Sequence, residues 1–223
     1  MSRVIITGGN RGIGLELARG FHVRGDEVVV GCRRASAALS DLGVEFHEGL
    51  DVADPASIDR FSEALGDRPV DVLVNNAGVL SVQRLGEIEG QSIEDILTQF
   101  KVNALGPLLL TQALLPRMHP GSRLAIITSR MGSIADNTSG GSYGYRMSKV
   151  AVNMAGVSLA HDLAERGIAV GLLHPGFVRT EMTARQGNVD APQAAAQLLE
   201  RIDEIRPETS GSFRHANGDP LPW

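Results

Sequence analysis

Val4-Ile5-Ile6-Thr7-Gly8-Gly9-Asn10-Arg11-Gly12-Ile13-Gly14 runs from a β-branched apolar stretch straight into a turn carrying four glycines. Beyond it Ile13, Leu17 and Phe21 recur every four residues, the spacing of one helix face. A strand, a glycine turn and a helix are therefore expected at the outset. In such a turn Gly8 permits the tight reversal, Gly12 lets the backbone approach a bound group, and Gly14 lets the helix pack closely on the strand. The helix start then offers free N–H groups and a partial positive charge, a setting that suits a phosphate. A glycine-rich corner that binds nothing fits the same letters, so the remainder of the chain has to decide.

The rest repeats the alternation. Glu27–Val30, Val44–His47, Val70–Val74, Leu124–Thr128 and Ile168–Leu173 are short apolar runs, as expected of strands buried on both faces of a parallel sheet. Helical spacing lies between them. Ile58, Phe61 and Leu65 recur at three and four residues, and helices are expected to begin near Pro55 and near Pro192. A long helix is expected over Ile93–Leu115, kinked at Pro107, and another over Ser142–Arg166. Gly211–His215 reads as a final edge strand. Alternation of this kind predicts an α/β fold, a doubly wound parallel sheet with helices on both faces, formed as a single domain over residues 1–223. Ligands in such a sheet bind beyond the carboxyl ends of the strands.

Composition narrows the function. The chain has 223 residues, 43% apolar and 21% charged, an ordinary globular balance. Twenty-one basic against 26 acidic residues give a formal charge of −5, with no basic block, which argues against a nucleic-acid groove. The single cysteine, Cys32, excludes an internal disulfide framework and a multi-cysteine metal site. No apolar run approaches the roughly 18 residues of a membrane span. The N-terminus enters a strand at once and shows no signal-peptide pattern. A cytoplasmic protein with no membrane attachment is expected. After the second strand comes Val30-Gly31-Cys32-Arg33-Arg34, without the carboxylate that would accept from a ribose 2′-hydroxyl. Guanidinium groups there suit a 2′-phosphate, and Arg11 can approach the same group, so NADP(H) is preferred over NAD(H). Arg33 and Arg34 can equally be solvated surface charges.

With these residues in view, the chain resembles the short-chain dehydrogenase/reductase family over essentially its whole length. Thr7-Gly8, Gly12-Ile13-Gly14 match its cofactor turn, and Asn75-Asn76-Ala77-Gly78 its second signature. Tyr145-Arg146-Met147-Ser148-Lys149 matches its active-site pattern, and Pro175-Gly176-Phe177-Val178-Arg179-Thr180 its nicotinamide-side loop. The stretch Ser129–Asn137 is similar to the sniffer and C-factor branch of carbonyl reductase-like members.

The resemblance implies that Tyr145 is the acid/base and Lys149 its partner. Four residues apart on a helix, the two share a face. An ammonium about 4 Å from a phenol, at an effective dielectric near 20, contributes roughly 4 kcal/mol, or about three pK units. Lys149 is therefore expected to bring the phenol towards neutrality. Tyr143 has Met147 at the same interval, which cannot perturb it, and reads as a wall of the substrate cleft or as packing. Ser129 stands where the family's carbonyl-polarising serine lies, with Ser133 and Ser142 as competitors. The resemblance gives Asn103, near Pro107, the family's proton-relay position, where its amide can hold a water leading to Lys149, though it can equally be an amide satisfied on the helix surface.

The cofactor set implied is Gly8, Asn10, Arg11, Gly12, Ile13, Gly14, Arg33, Asp51, Val52, Asn75, Ala77, Gly78, Tyr145, Lys149, Pro175, Gly176, Val178 and Thr180. Asp51 would accept from the adenine amino group while Val52 donates through its backbone, though Asp51 can equally cap the helix at Pro55. Asn75 can instead brace neighbouring strands. His174 has no second histidine at ligand spacing, and no metal is expected. Substrate contacts are assigned to Ser129, Met131, Tyr143, Tyr145 and Met182, and the short segment Glu181–Ala191 implies an open cleft. The expected activity is NADP(H)-dependent hydride transfer involving a ketone, an aldehyde or a secondary alcohol. The alternatives are a cofactor-bound signalling or sensing protein and an NAD(H)-linked alcohol dehydrogenase. A homodimer through the two long helices is the partner the family suggests.

Overall fold

The computed structural model describes residues 1–223. Its centre is one seven-stranded, all-parallel sheet in the order β3-β2-β1-β4-β5-β6-β7. The strands are β1 (Arg3–Thr7), β2 (Glu27–Gly31), β3 (Glu45–His47), β4 (Val70–Asn75), β5 (Met118–Ile127), β6 (Ala169–His174) and β7 (Ser212–His215). Alternate residues feed opposite faces, as strand geometry dictates. Val4 and Ile6 enter one core with Leu17 and Phe21 of α1 (Gly12–Val23) and Leu198 and Ile202 of α7 (Ala191–Asp203). Ile5, between them, enters the other core. There it joins Ile58 and Phe61 of α3 (Pro55–Ala64), Leu110 and Leu114 of α5 (Gly106–Leu114) and Val152 of α6 (Tyr143–Asp162). Two nearly equal cores on the two sides explain why the strands read as unbroken apolar runs.

The chain winds outward from β1 to β3, then crosses back to lay β4 beside β1. Strand order reverses there, so a crevice opens beyond Thr7 and Asn75. Helix starts follow their capping residues. Ser36 caps the short α2 (Ala37–Ser40), Asp54 caps α3, and Asp190 caps α7. Asp54, not Asp51, is thus the cap of the helix at Pro55.

The long helix expected over Ile93–Leu115 is interrupted. It is α4 (Gln91–Phe100), a π-helical stretch at Lys101–Leu105, and then α5. The break precedes Pro107, which lies in the first turn of α5, where a missing N–H leaves no bond unmade. No helix of the fold is long and apolar enough to cross a membrane.

Candidate functional site

A cleft of about 1050 Å³ lies at the carboxyl ends of the strands, floored by the glycine turn. Gly8 and Gly12 are left-handed, at φ 67° and 55°, a conformation that glycine adopts without strain. A Cβ on Gly14 would lie 2.5 Å from the Gly8 carbonyl oxygen and 2.4 Å from Asn76 Nδ2. We expect Gly14→Ala to cost about 1–3 kcal/mol by overpacking, read as a lower Tm, and to weaken nucleotide binding by displacing the helix start. Arg11, at the N-cap of α1, makes no side-chain cap bond, and the first turn carries no acidic residue. The helix start therefore opens into the cleft, with the Glu181 carboxylate of the cleft wall paired to the Arg11 guanidinium. The cradle and the bare helix start fit a dinucleotide pyrophosphate.

Of the residues assigned to the cofactor, Gly8, Asn10, Arg11, Gly12, Ile13, Gly14, Arg33, Asp51, Val52, Ala77, Gly78, Tyr145, Lys149, Pro175 and Thr180 line this cleft. Asn75 does not. It is 3% exposed, and its Nδ2 donates to Thr111 Oγ1 at 3.1 Å, so it braces β4 against α5. Its neighbour Asn76 takes the cleft position, donating to the carbonyl oxygens of Thr7 and Gly8 and so tying β4 to the turn. Gly176 and Val178 also lie off the cleft, with Val178 buried and bridged to Val189. Asp51 holds Ala53 N through Oδ1 at 2.9 Å and keeps a place in the cleft lining.

Arg33 and Arg34 are exposed at the cleft margin beyond β2. Arg11 is differently engaged, because its guanidinium donates to the Glu181 carboxylate 170 residues away. Thr180 stands over the same turn, with its methyl 3.5 Å from a Cβ built on Gly12. The short lid therefore reaches across to the glycine turn. Arg185 in that lid also lines the cleft, in a left-handed conformation at φ 62°. Neither contact has a local sequence signal.

At the inner end stand Tyr145 and Lys149, both buried on α6. Lys149 Nζ donates to the Ile127 carbonyl at 3.0 Å and lies 5.7 Å from the Tyr145 ring centroid. The groups face the same space, but the expected lowering of the phenol's pKa is not found. Burial holds Tyr145 above its ordinary value, against the opposing effect of a hydrogen bond with Ser129. Burial also brings Lys149 down to about 8. Desolvation penalises both charged forms and is the largest cause of both shifts.

Ser129 is 7% exposed and lies two residues past β5 beside that phenol, its Oγ also accepting from Met131 N at 3.1 Å. Ser133 is occupied elsewhere, donating to the Trp223 carbonyl at 3.1 Å and accepting from Asp136 N. The Trp223 carbonyl also accepts from Ala135 N at 2.8 Å, and the indole stacks on Phe213. Ser142 lies outside, in a left-handed conformation before α6. Only Ser129 meets the phenol. Residues Asn137–Gly141 loop outward, gripped by Arg146, which donates to the carbonyls of Gly140 and Gly141. Met182 lines the cleft, whereas Met131 and Tyr143 lie off it, half-buried.

Asn103 sits in the π-helical stretch, 1% exposed, with both ends of its amide bonded. Oδ1 accepts from Val79 N at 2.9 Å, and Nδ2 donates to the Val79 carbonyl and to Ser148 Oγ. The side chain clamps the loop after β4 onto α6, with both amide protons used and one acceptor position of Oδ1 left over. A π bulge at such a place is common where helices carry function. His174 does have a histidine neighbour, His215, with ring centroids 5.0 Å apart across β6 and β7, though no group of three metal-ligating side chains forms.

Comparison with known proteins agrees with this geometry. Residues 2–190 match the short chain dehydrogenase family. The chain is 38% identical to 1-hydroxy-2-glutathionyl-2-methyl-3-butene dehydrogenase of Rhodococcus sp. (strain AD45), over all of both proteins. It is 46% identical to C-signal of Myxococcus xanthus over 158 residues, covering 70% of this chain and 93% of that one. Among solved structures, NADPH-bound carbonyl reductase from chicken fatty liver superposes with a TM-score of 0.90 at 27% identity, covering 100% of this chain and 99% of that one. The carbonyl reductase Sniffer of D. melanogaster superposes with a TM-score of 0.91 at 30% identity, covering 100% of each. With its sheet order, its glycine cradle and its match over most of its length, the chain belongs to the short-chain dehydrogenase family and is an oxidoreductase similar to the carbonyl reductases.

Proposed function

We propose that the protein is an NADP(H)-dependent reductase of ketones or aldehydes, or an oxidant of the matching secondary alcohols. The observation that carries this reading is the meeting of Ser129, Tyr145 and Lys149 at the inner end of a dinucleotide-sized cleft. When bound, the nicotinamide supplies or accepts the hydride. The chain's own residues do the rest. The start of α1 receives the pyrophosphate, and Arg33 the 2′-phosphate. Ser129 steadies the substrate oxygen by donating a hydrogen bond, and the Tyr145 phenol gives up its proton to that oxygen in reduction and takes it back in oxidation. Lys149, charged at neutral pH with its pKa near 8, steadies the phenolate left behind. A raised phenol pKa keeps Tyr145 protonated, the form that reduction needs.

The test is NADPH and NADH consumption across a panel of carbonyl compounds. Carbonyl-dependent oxidation of NADPH supports the reading, and its absence across the panel removes it. Likeness to C-signal favours a second reading, a nucleotide-bound signalling protein with incidental turnover, which predicts tight NADPH binding and none of that oxidation. Cofactor choice separates the reductase reading from an NAD(H)-linked alcohol dehydrogenase. Charge-assisted bonds to a phosphate are worth roughly 1.5–3 kcal/mol, so Arg33→Ala should weaken NADPH about 10- to 100-fold and leave NADH unchanged. Fluorescence titration of both cofactors checks this, and equal effects on the two would reject the 2′-phosphate role. For partners, the exposed Ile93 and Leu97 of α4 with Met147 and Met154 of α6 offer an apolar face that a second copy would cover.

A further inference from the structure

The first turn of α6 carries Tyr145, yet it cannot cap itself. Gly140, Gly141 and Ser142 are successively left-handed, at φ 64°, 66° and 49°. In that conformation Ser142, at the N-cap, makes no side-chain bond to the helix it precedes. The chain satisfies the turn from elsewhere. Gln83, in the loop after β4 and 2% exposed, accepts twice: its carbonyl from Ser142 N at 3.0 Å and its Oε1 from Gly144 N at 2.9 Å. Its Nε2 donates to Ser81 Oγ at 2.7 Å, and that hydroxyl in turn donates to Asp95 on α4. Gln99 completes the clamp. It is 1% exposed, and its Oε1 accepts from Ser81 N, while its Nε2, without an acceptor, presses on Gly144. A Cβ on Gly144 would lie 2.5 Å from that nitrogen.

We infer that Gln83 is a positioning residue for Tyr145, capping the catalytic helix from a separate loop. Glutamine in a loop is ordinarily solvated, and full burial with both ends bonded marks this one as built in. An N-cap normally comes from the residue before the helix and is worn by its own side chain. Here the cap is remote, so the place of the phenol beside Ser129 depends on the loop after β4, which the left-handed Ser142 would otherwise release.

This inference rests on the proposed role of Tyr145, and the experiment separates the two. Gln83→Leu keeps the volume and removes the acceptor. It should lower kcat at least tenfold with a carbonyl substrate while the Kd for NADPH stays within twofold. Gln83→Glu retains an acceptor for Gly144 N and should recover most of the kcat. Hydrogen exchange, which needs no turnover, should show residues 142–146 losing protection in Gln83→Leu and regaining it in Gln83→Glu. Should Gln83→Leu fail to fold, Gly144→Ala displaces the same turn against Gln99 and should give the same kcat loss at unchanged NADPH affinity. Unchanged exchange at residues 142–146 in Gln83→Leu overturns the inference whatever the activity. A kcat within twofold of the parent or a matching loss of NADPH affinity also overturns it. A parent protein with no turnover refutes the catalytic reading instead, and the exchange result still decides the capping.

Discussion

Tyr145→Phe should bind NADPH as the parent does and lose carbonyl reduction by about 10²–10⁴-fold, the range that a positioned general acid contributes. The substitution removes one oxygen from a ring that is 8% exposed and leaves the packing of α6 in place. Ser129 keeps its hydroxyl near the substrate oxygen, so hydrogen-bond stabilisation survives while the proton source is gone. Steady-state kinetics on a substrate identified by the carbonyl panel, with NADPH affinity from fluorescence, make the check. Turnover within a few fold of the parent would show that another group delivers the proton.

His174 should make the fold acid-sensitive. Burial, with smaller contributions from the charges of His215, Arg130 and Lys149, pushes its pKa down to about 3, well below the usual 6.5. Its Nδ1 is buried without a partner. Between those two values an unfolded chain carries a proton on this ring that the native chain does not. Stability is therefore fully present above pH 6.5 and falls as pH drops, by up to about 1.4 kcal/mol per unit, until the native ring itself protonates near 3. From pH 6.5 to 5, before most carboxylates titrate, urea unfolding should reveal a loss of about 2 kcal/mol assignable to this residue. His174→Gln should show correspondingly less dependence over that window. Identical slopes in the two proteins would mean that the ring takes up its proton without unfolding.

The strands, the glycine cradle and the Tyr145–Lys149 pair were legible because each depends on local pattern. Buried strands read as apolar runs, and a left-handed turn needs glycine. What was not legible depends on packing over long sequence distances. Asn75 and Asn76 are identical letters, and only strand alternation sends one to Thr111 and the other into the cleft. Arg11 suits a phosphate by type, but its partner is fixed by Glu181, which the lid carries across. The π-helical stretch alters a hydrogen-bond register without any side-chain signature, so Pro107 drew the expected kink a turn too late. Adjacent charges on one helix suggested mutual stabilisation of Tyr145 and Lys149, whereas burial raises one pKa and lowers the other. Gln83 carries no motif. Its importance appears only when the donors of a remote helix are traced to their acceptors.

The tie between Trp223 and the serine loop spans 90 residues, from Ser133 to the last residue described. Ribosomes add roughly 5–20 residues each second, so the loop is translated on the order of ten seconds before its anchor exists. In that interval the parallel strands can begin to associate while the loop bearing Ser129 still lacks its tether. A nascent chain of this design acquires its strands first and the tether of this loop last, an ordering imposed by vectorial synthesis.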